Sequence, residues 1–227
     1  MQETMSLKEA IQVRHSVRSY TDQPITGAVK QELEAFIAQC NEESGMHMQL
    51  VTDEPNAFSG MMAHYGKFVN TKNYIGVVVP KTMDDETIGY YGEKVVLRAQ
   101  QLGLNTCWVA LTYSKKHCPC QINNDEKMSV VISIGYGTTQ GSGHTPRPLE
   151  RFYQSEINPI PEWFMEGVRM AAKAPTAINQ QKFELTLHQD NTVSAKAKFG
   201  FCANMDLGIV KYHFEIGAEG ADWKWRE

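Results

Sequence analysis

The sequence predicts an α+β fold made of two similar half-units. Three observations carry this. Apolar residues at helical spacing alternate with short β-branched runs along the 227 residues. Gly, Pro, Asn and Asp punctuate the joins between them. The second half also echoes the first in ungapped register. Shifted by 135 positions, Val29 falls on Phe164, Leu33 on Val168, Met48 on Phe183 and Leu50 on Leu185. Shifted by 114, Val95-Val96 falls on Ile209-Val210 and Leu102-Gly103 on Ile216-Gly217. Each half thus reads helix, strand, connection, helix, the pattern of a duplicated chain that folds as a dimer fused to itself. The expected division is 1–155 and 156–227.

In chain order, Ser6 and Glu9 form a capping box, in which Ser accepts an orphan N–H and Glu three residues on returns the bond. Leu7, Ala10 and Ile11 give that short helix one apolar face, and it should end near Arg14. An extended segment follows from Ser16 to Tyr20. Val29, Leu33, Phe36, Ile37 and Cys40 predict a helix that Gly45 ends, and 48–51 a strand. Residues 61–72 are ambiguous. Tyr74 to Pro80 is β-branched and buried in character. A helix is expected over 92–104, a strand over 105–110, loop or short helix over 115–127, and a core strand over 129–137. Loop covers 138–151. The second half offers a helix over 163–173, a loop over 174–180, a hairpin (183–188 and 193–201 around Asp190-Asn191) and an amphipathic helix over 206–217. The tail is exposed or packs by Trp223 and Trp225.

Composition narrows the function. Hydrophobic residues make up 42% and charged residues 21%, an ordinary globular balance. A net charge of −4 argues against a nucleic-acid partner, which needs a basic footprint. No apolar run reaches the ~18 residues of a membrane span. The start, Met1 to Ser6, is polar and lacks a signal pattern, so a cytoplasmic protein is expected. Five scattered cysteines read as reduced thiols. In His117-Cys118-Pro119-Cys120 the two thiols are one residue apart and no second pair follows, so no metal is expected.

Arg14-His15-Ser16-Val17-Arg18 is the densest chemical segment. Two guanidiniums, an imidazole and a hydroxyl in five residues make an anion-binding set, or else a solvated basic turn. Ala174-Pro175-Thr176-Ala177-Ile178-Asn179-Gln180 is a second candidate, a loop of short polar side chains. Arg147 lies in a Gly- and Pro-rich stretch.

These segments resemble the FMN-dependent nitroreductase family. Arg14 to Arg18 is similar to its Arg-(Arg/His)-Ser-x-(Arg/Lys) segment. Residues 174–181 resemble its Ala-Pro-Ser-(Ser/Ala)-x-Asn-x-Gln loop. Leu102-Gly103-Leu104-Asn105-Thr106-Cys107-Trp108 resembles its Leu-Gly-Leu-Gly-Thr-Cys-Trp stretch. Ile134-Gly135-Tyr136-Gly137 with Arg147-Pro148-Leu149-Glu150 resembles its closing segment, and Asp206-Leu207-Gly208 its Asp-x-Gly helix start. The Pro175 loop lies in the second half, whereas most members carry it soon after the Arg segment. That order resembles the TM nitroreductase subgroup, whose single chain carries two half-units and mimics the usual dimer.

The resemblance implies mainly antiparallel sheets flanked by helices and one FMN per chain. Arg14, His15, Ser16, Arg18 and Arg147 would hold its phosphate and ribityl chain. Thr145 stands where members often have a second basic residue. Pro175, Thr176, Ala177 and Asn179 would pack on and hydrogen-bond the flavin. Ala110 would offer its backbone near N5, although it and Leu111 replace the usual glycines. Lys67 reads as a surface lysine. The implied activity is hydride transfer from NADH or NADPH through flavin N5 to a small acceptor such as a nitroaromatic or quinone, in a monomeric pseudo-dimer or weak homodimer. The cofactor carries the redox chemistry, so no acid–base dyad is required. Three alternatives stay open: a non-catalytic flavin-binding or flavin-buffering protein, a related flavin chemistry such as dehalogenation or flavin breakdown, and a relic that binds no flavin.

Overall fold

In the computed structural model, which describes residues 5–143 and 147–226, the chain is α+β and groups into two compact units. Of the described residues, the first comprises 5, 13–83 and 94–143, and the second 6–12, 84–93 and 147–226.

The first unit is built on a fully antiparallel sheet. Its strands are β1 (His47–Val51), β2 (Tyr74–Pro80), β3 (Asn105–Val109) and β4 (Glu126–Gly135), in the order β1-β2-β4-β3. Tyr74, Ile75, Val77, Val78, Val131, Ile132 and Ile134 are almost fully buried on its two central strands. The short helix α1 (Leu7–Val13) precedes it in the chain, and α2 (Gly27–Ser44) buries Leu33, Ile37 and Cys40. The ambiguous stretch yields one short helix, α3 (Met61–Tyr65).

The capping box forms as expected: Ser6 N donates to Glu9 Oε2 at 2.8 Å, and Glu9 N donates to Ser6 Oγ at 3.2 Å. Helix α4 (Asp85–Gln101) starts seven residues earlier than its apolar face suggests. Asp84 is the reason, since its carboxylate accepts from Thr87 N at 2.8 Å and from Thr87 Oγ1 at 2.8 Å.

The second unit holds β5 (Tyr153–Ser155), α5 (Glu162–Ala171), β6 (Phe183–Leu187), β7 (Thr192–Ala197), α6 (Ala203–Gly217) and β8 (Lys224–Trp225). Strands β6 and β7 form the expected antiparallel hairpin. Two very short edge strands flank it in parallel, β5 on β6 and β8 on β7. The expected antiparallel character therefore holds for the first sheet and for the centre of the second, not for its edges.

Helix α6 is not amphipathic. Residues 205–210, 212–214, 216 and 217 are all buried, so it is the central helix of its unit. Glycines let its neighbours approach. A Cβ on Gly208 would lie 1.9 Å from Glu86 O, and one on Gly89 would lie 1.9 Å from Met205 O. The tail packs through its tryptophans: Trp223 stacks on Trp163 at 6.0 Å, and Trp225 lies 5.4 Å from Phe214. Along the chain the order helix, antiparallel strand pair, helix occurs twice, as α2-β1-β2-α4 with α3 between its two strands, and as α5-β6-β7-α6. Among the described residues no helix is long and apolar enough to cross a membrane.

Candidate functional site

After α1 the backbone opens, as expected, into a strap along the free edge of β3. Ser16 bridges Thr106 in parallel, with Val17 N donating to Thr106 O at 3.0 Å. Further on, Val69 N donates to Arg18 O at 2.8 Å, and Thr21 N to Tyr136 O at 2.8 Å. Extended backbone sends alternate side chains to opposite faces. Arg14, Ser16 and Arg18 therefore share one face, and His15 and Val17 the other.

The contacts agree. Ser16 and Arg18 both act on the Cys107 thiol of β3, which itself donates to Trp108 O at 3.5 Å, and the Arg14 charge is felt at the same sulfur. Burial pushes that thiol up, while the two guanidiniums and Ser16 pull it down; burial wins, because the sulfur sits among apolar neighbours including Val109 and Val131. Arg14 is itself 7% exposed. The Arg18 guanidinium lies 5.9 Å from the Phe68 ring, a cation–π distance. Two positive charges and one hydroxyl are thus all felt at Cys107.

His15 faces elsewhere. A Cβ on Gly141 would stand 2.7 Å from His15 Cβ, and one on Gly143 would stand 3.5 Å from the His15 ring. The structure therefore separates His15 from the arginine face of its own segment. A buried polar chain fixes the strap: Tyr20 OH lies 2.7 Å from Val17 O, its acceptor, and 2.8 Å from Ser133 Oγ, and Ser133 Oγ donates to Cys107 O at 3.3 Å. Ala110 is half-buried at the bend that ends β3, Leu111 beyond it is 64% exposed, and Lys67 is an exposed lysine. Thr145 lies outside the described residues.

The second unit brings two predicted segments together. Arg147 donates through Nη1 to Gln180 O at 3.2 Å and through Nη2 to Asn179 O at 3.3 Å. The Pro175 loop is held from the other side by Asp206, which accepts from Ala177 N at 2.9 Å and from Gln180 Nε2 at 2.8 Å. Burial pushes the Asp206 carboxyl up, and these two donors draw it back part of the way.

Thr176 closes the loop on itself: its Oγ1 accepts from Gln181 N at 3.0 Å, and its carbonyl from Asn179 N at 2.9 Å. Ile178, Asn179 and Gln181 all sit in the left-handed region, at φ 47°, 53° and 47°. Non-glycine residues rarely adopt that conformation, and such strain clusters at functional sites. Ile178 is also 88% exposed, and the Asn179 amide makes no hydrogen bond with a described residue. The loop therefore presents an apolar side chain and an unspent amide on a rigid, strained frame. Gln180 and Cys107 lie inside segments that the sequence singles out, but a reading of the sequence assigns neither a role. A glutamine in a turn and a cysteine in a strand carry no chemical signal until their neighbours are known.

Structural comparison gives the same architecture. A "putative nitroreductase" of Thermotoga maritima superposes with a TM-score of 0.67 at 23% identity, covering 96% of this chain and 85% of its own. A "putative nitroreductase in complex with FMN" from Desulfovibrio desulfuricans has a TM-score of 0.51 at 18% identity, covering 68% of this chain and 98% of its own. A "Putative NADH dehydrogenase/NAD(P)H nitroreductase" from Parabacteroides distasonis has a TM-score of 0.51 at 18% identity, covering 65% and 96%. At these identities the likeness concerns the fold. No curated protein matches the sequence. A family model does, over residues 6–218, and the chain belongs to the family it describes, "Putative TM nitroreductase".

Proposed function

We propose that the protein is an FMN-dependent oxidoreductase of nitroreductase type. The observation that carries this is the convergence of Arg14, Ser16 and Arg18 at Cys107. A phosphomonoester needs about two positive partners when it leaves water, and guanidiniums meet its oxygens in bidentate fashion. The donor set of the first unit therefore fits an FMN phosphate. The Cys107 thiol is apolar and protonated, so it adds no competing negative charge. In the second unit Asn179 offers both a donor and an acceptor to a flavin edge, and Pro175, Thr176 and Ala177 supply a fixed surface beside it. Arg147 keeps that surface in place through two carbonyls. Ala110 would offer backbone at the end of β3.

The chemistry that FMN supplies is hydride transfer at its N5, from NADH or NADPH to a small organic acceptor such as a nitroaromatic or a quinone. The chain's own work is binding, orientation and exclusion of water. We further propose that the recurring order helix, strand pair, helix records an internal duplication, that the chain acts as a cytoplasmic monomer or weak homodimer, and that its partners are small molecules.

The test is the visible spectrum of the protein, desalted after incubation with excess FMN, before and after anaerobic NADPH or NADH. A retained flavin band that bleaches supports the proposal. A retained band that neither reductant bleaches makes this a flavin-binding protein. A colourless protein overturns the reading.

A further inference from the structure

The second unit carries a cleft of about 390 Å³ beside the Pro175 loop, of a size that small-ligand sites use. Its lining includes Arg147, Arg151, Phe152, Lys182, Lys198 and Phe199. Four of these are cations and none is a carboxylate, in a chain whose net charge is −4. Lys198 is neutralised by Glu184 at 3.0 Å. Among the described residues Arg147 bonds only neutral carbonyls, at 3.2 and 3.3 Å, and these leave its charge uncompensated. The side chains of Arg151 and Lys182 make no hydrogen bond or ion pair with a described residue.

Three uncompensated charges around one concavity repel one another, and a dianion relieves that repulsion better than a single carboxylate does. The walls differ in character from the charges. Phe152 is buried and stacks on Phe183, with ring centres 4.8 Å apart. Phe199 stands on the turn after β7 and is 98% exposed, a full aromatic face in water. That turn is seated on the Pro175 loop: Gln180 Nε2 donates to Phe201 O at 2.6 Å. A cationic pocket rimmed by a free aromatic face suits a phosphomonoester carried on a stacking base.

We propose that this cleft binds the adenosine 2′-phosphate of NADPH and so selects NADPH over NADH. The identity of the whole reductant rests on the oxidoreductase reading above; the charge and shape of the cleft do not. Arg151, Lys182 and Phe199 are the selecting residues. They lie next to the loop to which that reading assigns the flavin surface, within the same unit.

The experiment titrates adenosine 2′-monophosphate into the full chain by calorimetry, with no flavin or reductant present, alongside adenosine and inorganic phosphate. We expect the nucleotide to bind at least tenfold more tightly than either. The double variant Arg151→Gln/Lys182→Gln should lower its affinity at least tenfold, and Phe199→Ser should lower it several-fold, with unchanged melting curves and unchanged FMN binding. In turnover the double variant should raise the KM for NADPH at least tenfold and leave that for NADH in place. Equal binding of adenosine and its 2′-phosphate, or binding untouched by the double variant, overturns the proposal. Parallel loss of FMN also overturns it and gives the cleft to the flavin phosphate. If the nucleotide binds as expected to a protein that oxidises neither reductant, the cleft is upheld as a nucleotide site and the oxidoreductase reading fails.

Discussion

Gln180 Nε2 donates to the buried carboxylate of Asp206 at 2.8 Å, and the other oxygen of that carboxylate takes Ala177 N at 2.9 Å. One side chain at the start of α6 thus fixes both ends of the strained turn at 177–180. Asp206→Ala strands Ala177 N and takes one of two acceptors from Gln180 Nε2, which keeps Phe201 O. At roughly 1–3 kcal/mol for a buried group left unsatisfied and roughly 0.5–1.5 kcal/mol for the lost bond, it should destabilise the chain by about 2–4 kcal/mol in urea unfolding. It should also weaken FMN, since the loop loses its frame. A variant with wild-type stability would remove Asp206 from this role.

The same carboxylate sets a pH dependence. Burial raises its folded pKa above the ordinary aspartate range, so the folded chain holds this proton more tightly than the unfolded chain. Stability then falls as pH rises through the window between the two values, and the burial penalty is fully present above it. Asp206→Asn cannot ionise. The stability of wild type relative to Asp206→Asn should therefore improve as pH falls through the acid range, measured by urea unfolding at a series of pH values. A difference that is flat with pH would contradict the shift.

The alternation along the strap makes neighbours unequal. Arg14 and Arg18 share a face with Ser16, while His15 lies against Gly141 and Gly143. Arg14→Ala should weaken FMN by ~1.5–3 kcal/mol if its guanidinium meets the phosphate. His15→Ala should change it by only about 0.5 kcal/mol, the usual effect of a substitution away from the contact. Fluorescence titration of both variants checks this. Equal losses would mean that the strap does not present one binding face.

Much of this fold was legible from local signals. Tyr74 to Pro80 reads as a buried strand because β-branched residues fill it, and Ser6 with Glu9 announces the first helix. The start of α4 was hidden because Gly89 and Gly92 look like breakers, although Gly89 is there to let α6 come close. Strands β5 and β8 are three and two residues long, too short to show a period. For the site, the Arg14 segment and the Pro175 loop stood out by composition. What tied them down did not: Arg147 on two carbonyls, Asp206 on Gln180 and Ser16 over Cys107 are all long-range pairs. A hydrogen bond between residues 26 to 91 positions apart leaves no mark in a local pattern.

The crossing of α6 with the first part of α4 sets a strict volume limit. A Cβ on Gly208 would sit 1.9 Å from the Glu86 carbonyl oxygen, a backbone atom that no rotamer change can move. Gly208→Ala should destabilise the chain by about 3 kcal/mol, the upper end of overpacking effects. Gly60 is the control, with φ −82° and nothing within 4 Å of an added Cβ. Gly60→Ala should be neutral or stabilise by ~0.4–1 kcal/mol through the unfolded chain. Similar melting temperatures for the two variants would mean that the helices have room to separate.

His213 and Glu93 form a pair with no solvent exposure on either side chain, Nε2 to Oε1 at 2.9 Å. The imidazole Nδ1 lies 3.2 Å from Met170 O; a carbonyl can only accept, so Nδ1 carries a proton. The ring therefore links α6 to α5 through Met170 and to α4 through Glu93. Removing one member takes this bond from the other where no water can replace it, which typically costs about 3–5 kcal/mol. Removing both for apolar residues of similar volume spares that penalty. We expect His213→Leu and Glu93→Leu each to destabilise by that amount and the double variant to lose far less than their sum. A double-mutant cycle in urea reads the coupling directly. Additive losses would mean that each side chain acts through packing alone, and that the three helices are held by apolar contact rather than by this pair.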